Sequence, residues 1–323
     1  MNIFEFKKNT TASLKSPSPQ LDTEVLLEHF TGFNRTRQLL NRDWEIPEDT
    51  LSKLNEAVAK RNTGLPVAYI TGKKEFYGYS FYVTPDVLIP KPDTEILVEK
   101  AIDSIIEKME NRPDRLLTIC DMCTGSGCIA AAVMKTLIDV YKIPAGNLPS
   151  FTLADISEKA LEIARKNMDA LILNNPENSR IKDILQSRVH FVRTNLFEQF
   201  SFTGGWTFDL ILTNPPYIPH SMVNELLKDG RSEPRLALDG DINLMGLPAI
   251  SPEGEDYDDG LEIIRNLLPQ SVKHLSPLGK IIMETGEYNA EEAAAIAESY
   301  GYKTELYEDL EGQLRGFTGQ LTK

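Results

Sequence analysis

The fold of this chain is decided by residues 121–129, which read Asp-Met-Cys-Thr-Gly-Ser-Gly-Cys-Ile. The apolar run 116–120 precedes this stretch, and a helical pattern follows it. Gly125 and Gly127 permit a tight turn and let a ligand approach the amino end of the following helix. The stretch is neither the full dinucleotide fingerprint nor a P-loop, which would need a lysine. A glycine-rich turn between strand and helix predicts an α/β fold with a ligand site at the turn.

Similar apolar runs recur along the chain and predict a sheet. Five candidate strands are 116–121, 151–155, 189–194, 208–213 and 279–284. Helical patterns such as 158–171 separate most of them, and this alternation indicates a parallel sheet covered on both faces. The tail, 302–321, reads as two more strands joined near Gly312. We therefore expect a mixed, mostly parallel sheet of seven strands.

Polar residues end two of these strands at the edge where open α/β sheets bind ligands. The second strand ends at Asp155, where a carboxylate can accept hydrogen bonds from a ribose. A helix cap is the alternative, because Ile156-Ser157-Glu158 follows. The third strand ends at Asn195, whose side-chain amide suits an adenine edge. Together with the two glycines, these residues predict a site for an adenosine-bearing cofactor.

The fourth strand leads into Asn214-Pro215-Pro216-Tyr217. Two prolines fix φ and supply no N–H donors, so the carbonyls of Asn214 and Pro215 can act as paired acceptors for a planar NH2 group. Tyr217 adds an apolar face with a polar tip. An ordinary turn is the alternative, since Asn-Pro and Pro-Pro are common in loops. The neighbouring His220 is expected at the loop surface, and no general base is predicted.

The first 85 residues or so predict a small helical domain, because apolar residues keep helical spacing at 21–29 and 51–58. Residues 76–83 are aromatic-rich with a central glycine and predict a short hairpin. Residues 89–95, Ile-Pro-Lys-Pro-Asp-Thr-Glu, lead into another helix. We therefore expect a helical domain at 1–85, a hairpin linker to about 95, and an α/β domain at 96–323.

Charge and cysteine content narrow the class of protein. The net charge of −14 points away from stable nucleic-acid binding and favours a small-molecule or protein substrate. The start of the chain has no apolar region typical of a signal peptide, and no apolar run reaches membrane-spanning length. Cys120, Cys123 and Cys128 leave an odd thiol, which favours a reducing cytoplasm. A metal site at these cysteines lacks a fourth ligand, so no metal is expected.

One segment, 236–264, contains no Lys or Arg but many acidic residues, among them Asp239, Asp241, Glu253, Glu255, Asp256, Asp258 and Asp259. Its Gly and Pro content predicts an exposed, mobile loop. Such a loop is either a solvated insertion or an acidic surface that steers a basic partner.

The motifs of this chain resemble those of the class I S-adenosylmethionine-dependent methyltransferases, and more narrowly those of the release-factor glutamine methyltransferases (PrmC or HemK). The resemblance covers nearly the whole chain. It is carried by residues 21–27, 66–72, 89–95, 121–127, 214–217, 232–238 and 259–261. Asn-Pro-Pro-Tyr also marks adenine N6-methyltransferases, whereas the block at 89–95 with the helical domain is far more specific.

The resemblance implies a Rossmann-like methyltransferase domain that uses S-adenosylmethionine to methylate the glutamine of the Gly-Gly-Gln loop in peptide release factors. It implies catalytic roles for Asn214, Pro215 and Tyr217, with Tyr217 lining the methyl-transfer channel. Substrate contacts are implied for Asn214, Pro215, Pro216 and Tyr217. Cofactor contacts are implied for Asp121, Cys123, Thr124, Gly125, Ser126, Gly127, Asp155, Asn195, Leu196 and Asn214.

Three positions depart from the family pattern. Cys123 stands where the family usually has glycine, and its Cβ would narrow the cofactor turn. Leu196 stands where several members have an aromatic residue. Lys91 replaces the more frequent arginine, which keeps the charge and loses the planar fork.

Two other functions stay open beside the glutamine methyltransferase. One is an adenine N6-methyltransferase acting on DNA or RNA, because the same acceptors suit an exocyclic amine. The other is a non-catalytic binding protein with a degenerate cofactor pocket, motivated by Cys123. We expect a cytoplasmic monomer with no membrane contact, whose helical domain docks the protein substrate.

Overall fold

The computed structural model describes residues 1–112, 114–203, 205–230, 232–243, 247–250, 257–309 and 311–322. The chain divides into two compact units. The first is Met1–Lys73 with Glu225–Ser232, and the second is Lys74–Asn224 with Glu233–Lys323. The division after Lys73 falls earlier than the expected boundary at 85, so nearly all of the hairpin belongs to the second unit.

The first unit is helical, as predicted. Its helices are α1 (Ile3–Ser13), α2 (Pro19–Thr31), α3 (Arg35–Leu40), α4 (Glu48–Asn62) and α5 (Val67–Thr71). Asn2 begins α1 with a capping box in which its side chain and that of Glu5 each accept the other's backbone N–H. The unit is held by a small apolar core of Ile3, Phe6, Leu26, Leu27, Ile46, Leu54 and Ala57.

Residues 225–232 belong to this unit although they lie far from it in sequence. Gly64 and Gly230 both have positive φ, at +98° and +82°. A Cβ on Gly230 would lie 2.1 Å from the carbonyl oxygen of Thr63, and one on Gly64 would lie 2.2 Å from that of Asp229. Only glycine at both positions lets the two backbones approach this closely.

The second unit begins with a hairpin of β1 (Lys73–Phe76) and β2 (Tyr79–Tyr82). In the described part of the chain, seven further strands form one sheet. They are β3 (Thr118–Met122), β4 (Ser150–Asp155), β5 (Val189–Arg193), β6 (Phe208–Thr213), β7 (Leu275–Glu284), β8 (Tyr302–Glu308) and β9 (Leu314–Leu321). Their order is β5-β4-β3-β6-β7-β9-β8, parallel as far as β7, with β9 antiparallel to its neighbours. The predicted mixed, mostly parallel sheet is confirmed.

Helices cover both faces of the sheet. They are α6 (Glu95–Asn111), α7 (Cys128–Asp139), α8 (Glu158–Met168), α9 (Lys182–Ser187), α10 (Glu198–Thr203), α12 (Glu262–His274) and α13 (Ala290–Ser299), whereas α11 (His220–Leu226) follows the Asn-Pro-Pro-Tyr turn. Leu210 and Leu212 of β6 pack with α6, α7 and α8, whereas Ile211 packs with α12 and α13. This alternation buries every residue of β6, as expected for a parallel strand at the centre of a sheet. No helix among the described residues is long and apolar enough to span a bilayer.

The strand register brings the candidate residues to one edge. Met122 pairs with Ala154 on one side and with Thr213 on the other, and Thr213 pairs with Met283. The residues that come next, Cys123, Asp155, Asn214 and Glu284, therefore share the carboxyl edge of the sheet.

The prediction of an exposed, mobile loop at 236–264 is wrong for residues 238–242, which are buried, whereas Leu247 and Ile250 are exposed. Asp239 and Asp241 are fully buried. Asp239 forms a parallel bridge with Ile218, and both carboxylate oxygens of Asp241 accept the N–H of Gly260 at 2.9 Å. The prediction took acidic residues to be exposed to solvent, but a buried carboxylate can be satisfied by backbone N–H groups. Three of the acidic residues, Glu253, Glu255 and Asp256, lie outside the described residues.

Candidate active site

Asp121 supports the glycine-rich turn after β3 through hydrogen bonds. The Asp121 carboxylate accepts hydrogen bonds from the Thr124 hydroxyl at 2.7 Å and from the Ala130 N–H at 3.1 Å. Burial raises the pKa of Asp121 to about 7, although these two hydrogen bonds oppose the shift. A Cβ on Gly127 would lie 3.0 Å from the Cβ of Ala164, so glycine lets α7 and α8 approach closely. Asp121 and Gly127 therefore shape the turn.

Asp155 at the end of β4 reaches across to the same turn. Its Oδ2 accepts the Gly125 N–H at 2.9 Å, and its Oδ1 accepts the Ser157 N–H at 2.9 Å. The N-cap of α8 is Ser157, whose side chain accepts the Ala160 N–H. Burial raises the pKa of Asp155 above its ordinary value. A carboxylate has about four lone-pair sites, so Asp155 keeps acceptor capacity for a ligand hydroxyl.

A cavity of about 260 Å³ opens above these residues. Nine of the predicted site residues line it: Cys123, Thr124, Gly125, Ser126, Asp155, Asn195, Leu196, Asn214 and Pro216. Asp121, Gly127, Pro215 and Tyr217 are not among the described residues that line it. Lys91 also lines it and forms an ion pair of 2.7 Å with the buried carboxylate of Glu233.

Asn214 follows β6 directly and turns its amide toward the loop before α6. Its Nδ2 donates to the hydroxyl oxygen of Thr94 at 3.2 Å, and Thr94 is only 2 % exposed. One N–H of the amide is bound in this way, which directs the NH2 end toward Thr94 and leaves Oδ1 able to accept from a ligand. Pro215 is buried and has no N–H to compete for that ligand.

Tyr217 is held at both its backbone and its side chain. Its hydroxyl donates to Oε1 of Glu284 at 3.2 Å, and its carbonyl accepts from Nδ2 of Asn289 at 3.0 Å. Burial raises the pKa of Tyr217 well above its ordinary value, which keeps the phenol protonated. Burial likewise raises the pKa of Glu284 to about 7.

The acidic segment packs directly on the backbone of the Asn-Pro-Pro-Tyr turn. The Ile218 N–H donates to the Leu238 carbonyl, and the Gly240 N–H donates to the Ile218 carbonyl, both at 2.9 Å. A Cβ on Gly260 would lie 2.1 Å from the carbonyl oxygen of Tyr217. The segment thus holds the turn in place.

The expectation that His220 lies at the loop surface is wrong. His220 begins α11, and its Nδ1 lies 2.8 Å from Oδ2 of the fully buried Asp239. The same oxygen accepts from Nη1 of Arg235 at 2.9 Å. This shared carboxylate fixes the start of α11 relative to the acidic segment.

The three cysteines are free thiols. Burial raises the pKa of the Cys128 thiol to about 12 and that of Cys123 well above its ordinary value. Thiols in this state are poor nucleophiles. Within the part of the chain that the structure describes, no cluster of His, Cys, Asp or Glu is arranged to hold a metal ion.

Sequence reasoning gave no role to Thr94, Glu284 or Asn289. Glu284 ends a strand that was predicted from the sequence, at the same sheet edge as Asn214. Its position could therefore have marked it as a candidate site residue. Thr94 lies within the quoted block 89–95, but the block alone did not indicate its partner. Asn289 carried no signal, since it precedes α13 at an ordinary loop position.

Comparisons with known proteins identify the family. The family model of the PrmC N-terminal domain matches residues 8–72. A release factor glutamine methyltransferase from Rhodopirellula baltica is 35 % identical over 98 % of this chain and 94 % of that protein. Another, from Clostridium acetobutylicum, is 32 % identical over 87 % of this chain and 84 % of that protein. A solved methyltransferase structure from Pyrococcus furiosus covers 85 % of this chain and 98 % of its own, at 15 % identity and a TM-score of 0.41. On the strength of the two sequence relatives, this chain belongs to the release factor glutamine methyltransferase family.

Proposed function

We propose that this protein transfers a methyl group from S-adenosylmethionine to the side-chain nitrogen of the glutamine in the Gly-Gly-Gln loop of peptide release factors. The observation that carries the proposal is the orientation of Asn214. Its NH2 end is bound to Thr94, so its oxygen is the end left for the NH2 group of a substrate amide. The names of the relatives support the same reaction and the same substrate.

The residues around the cavity fit the proposed cofactor. Asp155 keeps acceptor capacity for the ribose hydroxyls, and Asn195 and Leu196 would contact the adenine. The turn at Cys123, Thr124, Gly125 and Ser126 would hold the methionine part, as would Asn214. When bound, the sulfonium supplies an activated methyl group.

The protein's own contribution is to position the nucleophile. An amide nitrogen is a poor nucleophile, because its lone pair is delocalised into the carbonyl. Oδ1 of Asn214 and the carbonyl of Pro215 would accept both N–H bonds and stabilise the positive charge that develops on nitrogen. Such positioning can contribute roughly 7–11 kcal/mol at best. Tyr217 and Pro216 would bound the space for the glutamine side chain.

We also propose that the protein acts as a cytoplasmic monomer without stable nucleic-acid or membrane contacts, and that the helical unit docks the release factor. Three free thiols support a reducing compartment. The net charge of −14 argues against a nucleic-acid substrate, and so against adenine N6-methylation as the alternative.

The test uses radiolabelled S-adenosylmethionine with a purified release factor, its Gln→Ala variant in the Gly-Gly-Gln loop, and duplex DNA. Label on the wild-type factor alone is the expected result, and Asn214→Ala should abolish it. Label on DNA alone would indicate that the protein is an adenine N6-methyltransferase. Failure to bind S-adenosylmethionine in calorimetry would favour the non-catalytic alternative, whereas binding without transfer to any of these substrates would point to another protein substrate.

A further inference from the structure

A side-chain carboxamide has two ends of nearly the same shape and opposite chemistry. Its oxygen accepts hydrogen bonds, and its NH2 group donates them. An Asn214 rotated by half a turn about its Cβ–Cγ bond would present NH2 to the NH2 group of the substrate. The acceptor function of Asn214 therefore needs a neighbour that distinguishes the two ends.

Thr94 contacts Asn214 but does not settle the orientation by itself. In the structure the Thr94 hydroxyl oxygen accepts from Nδ2 of Asn214 at 3.2 Å. A hydroxyl can also donate, and a donating Thr94 would bind Oδ1 instead. The orientation of Asn214 thus depends on where the hydroxyl hydrogen of Thr94 is directed.

Glu284 provides the acceptor for that hydrogen. It is 2 % exposed, and its Oε1 accepts from the Tyr217 hydroxyl at 3.2 Å. Its Oε2 is buried and has no hydrogen-bond partner among the described residues. The hydroxyls of Thr94 and Tyr217 both lower the pKa of Glu284, against the larger effect of burial. An ionised carboxylate can only accept, so Glu284 would take the Thr94 hydrogen and leave the Thr94 oxygen to Asn214.

We propose that Thr94 and Glu284 are positioning residues that fix the Asn214 amide with its oxygen toward the substrate. In this arrangement hydrogen bonds would run in one direction, from the Asn214 NH2 group to Thr94 and from Thr94 to Glu284, while Tyr217 donates to Glu284 from the other side. The two ends of the Asn-Pro-Pro-Tyr turn are thereby tied to one buried carboxylate. This proposal rests on the proposed methyl transfer and extends it to two residues outside the motif.

The first test compares Thr94→Val with Thr94→Ser at about pH 8, where Glu284 is ionised. Valine keeps the shape of threonine and lacks the hydroxyl, whereas serine keeps the hydroxyl. Misplacement of a positioned group by about 1 Å costs up to about 100-fold, so we expect Thr94→Val to lower kcat by about 10- to 100-fold. Thr94→Ser should recover most of it. Cofactor affinity, measured by calorimetry, should fall by much less than kcat for both variants, because the residues proposed to contact the ribose and the adenine are unchanged.

The second test separates positioning from stability with Glu284→Gln. A glutamine that accepts from Tyr217 through its oxygen presents its NH2 group to Thr94, which reverses the direction of the remaining hydrogen bonds. We expect kcat at about pH 8 to fall by about tenfold or more while the melting temperature does not fall. If Glu284 had a purely structural role, Glu284→Gln would lower the melting temperature and leave kcat near the wild-type value.

Each outcome decides the proposal. It is overturned if Thr94→Val keeps wild-type kcat, if Thr94→Ser is as impaired as Thr94→Val, or if Glu284→Gln is fully active. These results differ from a failure of the proposed function, in which the wild-type protein itself labels no release factor.

Discussion

At the scale of single residues, the turns that line the cavity contain two side chains in the left-handed region of φ. Cys123 has a φ of +60° and Leu196 a φ of +47°. A residue with a Cβ pays roughly 1–2 kcal/mol for this conformation, whereas glycine adopts it freely. Both residues line the cavity, so the strain lies where the cofactor is proposed to bind.

Replacing Cys123 by glycine should relieve this strain. Cys123→Ala is the matched control, because alanine also lacks the thiol but keeps the Cβ. We expect Cys123→Gly to exceed Cys123→Ala in unfolding free energy by about 1 kcal/mol in chemical denaturation. Equal stability of the two variants would show that the positive φ of Cys123 carries no strain.

Glu284 should make the stability of the protein depend on pH. Its pKa is raised from 4.5 to about 7, so the native state holds a proton that the unfolded state releases. The free energy of unfolding therefore falls as the pH rises from about 4.5 to above 7. Glu284→Gln removes this dependence, and its stability relative to wild type should rise by on the order of 3 kcal/mol between about pH 4 and pH 9.

The measurement is urea denaturation of both proteins across that range without cofactor. Glu305→Gln, at an exposed carboxyl of β8, is the control and should run parallel to wild type. A constant difference between Glu284→Gln and wild type at every pH would contradict the raised pKa.

Local sequence indicated some of the site but not its hydrogen bonds. Asp155 and Asn214 were found because each ends an apolar run, which is a local signal. The partners of the motif were missed because they are distant in sequence. Thr94 lies 120 residues from Asn214, and Glu284 lies 67 residues from Tyr217. No pattern in a single sequence records which polar side chains meet across such separations.

At the scale of elements, the acidic segment 236–264 works as a support for the motif. Asp241 accepts the N–H of Gly260 with both oxygens and that of His220 with one. The sequence prediction treated these carboxylates as solvated charges. Their burial depends on backbone donors that only the folded chain brings together, which composition does not report.

Adding a methyl group at Gly260 should displace the motif. Gly260 has a φ of +76°, and its Cβ would meet the Tyr217 carbonyl oxygen at 2.1 Å. Gly312 has a similar φ of +80° and nothing within 4 Å of its Cβ position. Gly312→Ala thus shares the backbone strain and lacks the clash.

We expect Gly260→Ala to lower kcat by about tenfold or more, because misplacement of a positioned group by about 1 Å costs up to 100-fold. Gly312→Ala should lower stability slightly and leave kcat near the wild-type value. Steady-state kinetics with a release factor and thermal unfolding of both variants provide the comparison. Equal kinetics in the two variants would mean that the acidic segment does not hold the turn.

At the scale of the whole molecule, the helical unit presents apolar side chains to solvent. Leu39 and Leu40 at the end of α3 are 60 % and 79 % exposed. Exposed leucines in a pair are more typical of a contact surface than of a free one. They are the candidates for docking the release factor.

Changing both leucines to serine should weaken docking and spare chemistry. We expect the KM for intact release factor to rise by about 100-fold or more, since two leucines that are fully covered contribute roughly 1.5–3 kcal/mol each and every 1.4 kcal/mol is about tenfold in affinity. Turnover of a short Gly-Gly-Gln peptide should be unchanged. Val140→Ser, at a valine 67 % exposed in the second unit, is the control. An unchanged KM for the intact factor would remove α3 from the docking surface.

The overall architecture was predictable in more detail than the site. Each strand of the large sheet was predicted within a few residues, the largest error being the start of β7 at Leu275 instead of 279. Apolar runs bounded by polar turns are local signals, and β6 is buried along its whole length. The division into two units was harder to predict from the sequence, because no shift in composition marks residues 225–232.

The close approach of Gly64 and Gly230 limits how this protein can recombine with its relatives. A recombination event near residue 73 would replace the helical unit but keep the native segment 225–232, which packs against it. A foreign helical unit would need its own paired glycine at the matching position. Exchange of that unit between relatives should therefore succeed only when residues 225–232 are exchanged with it, which takes three crossovers instead of one.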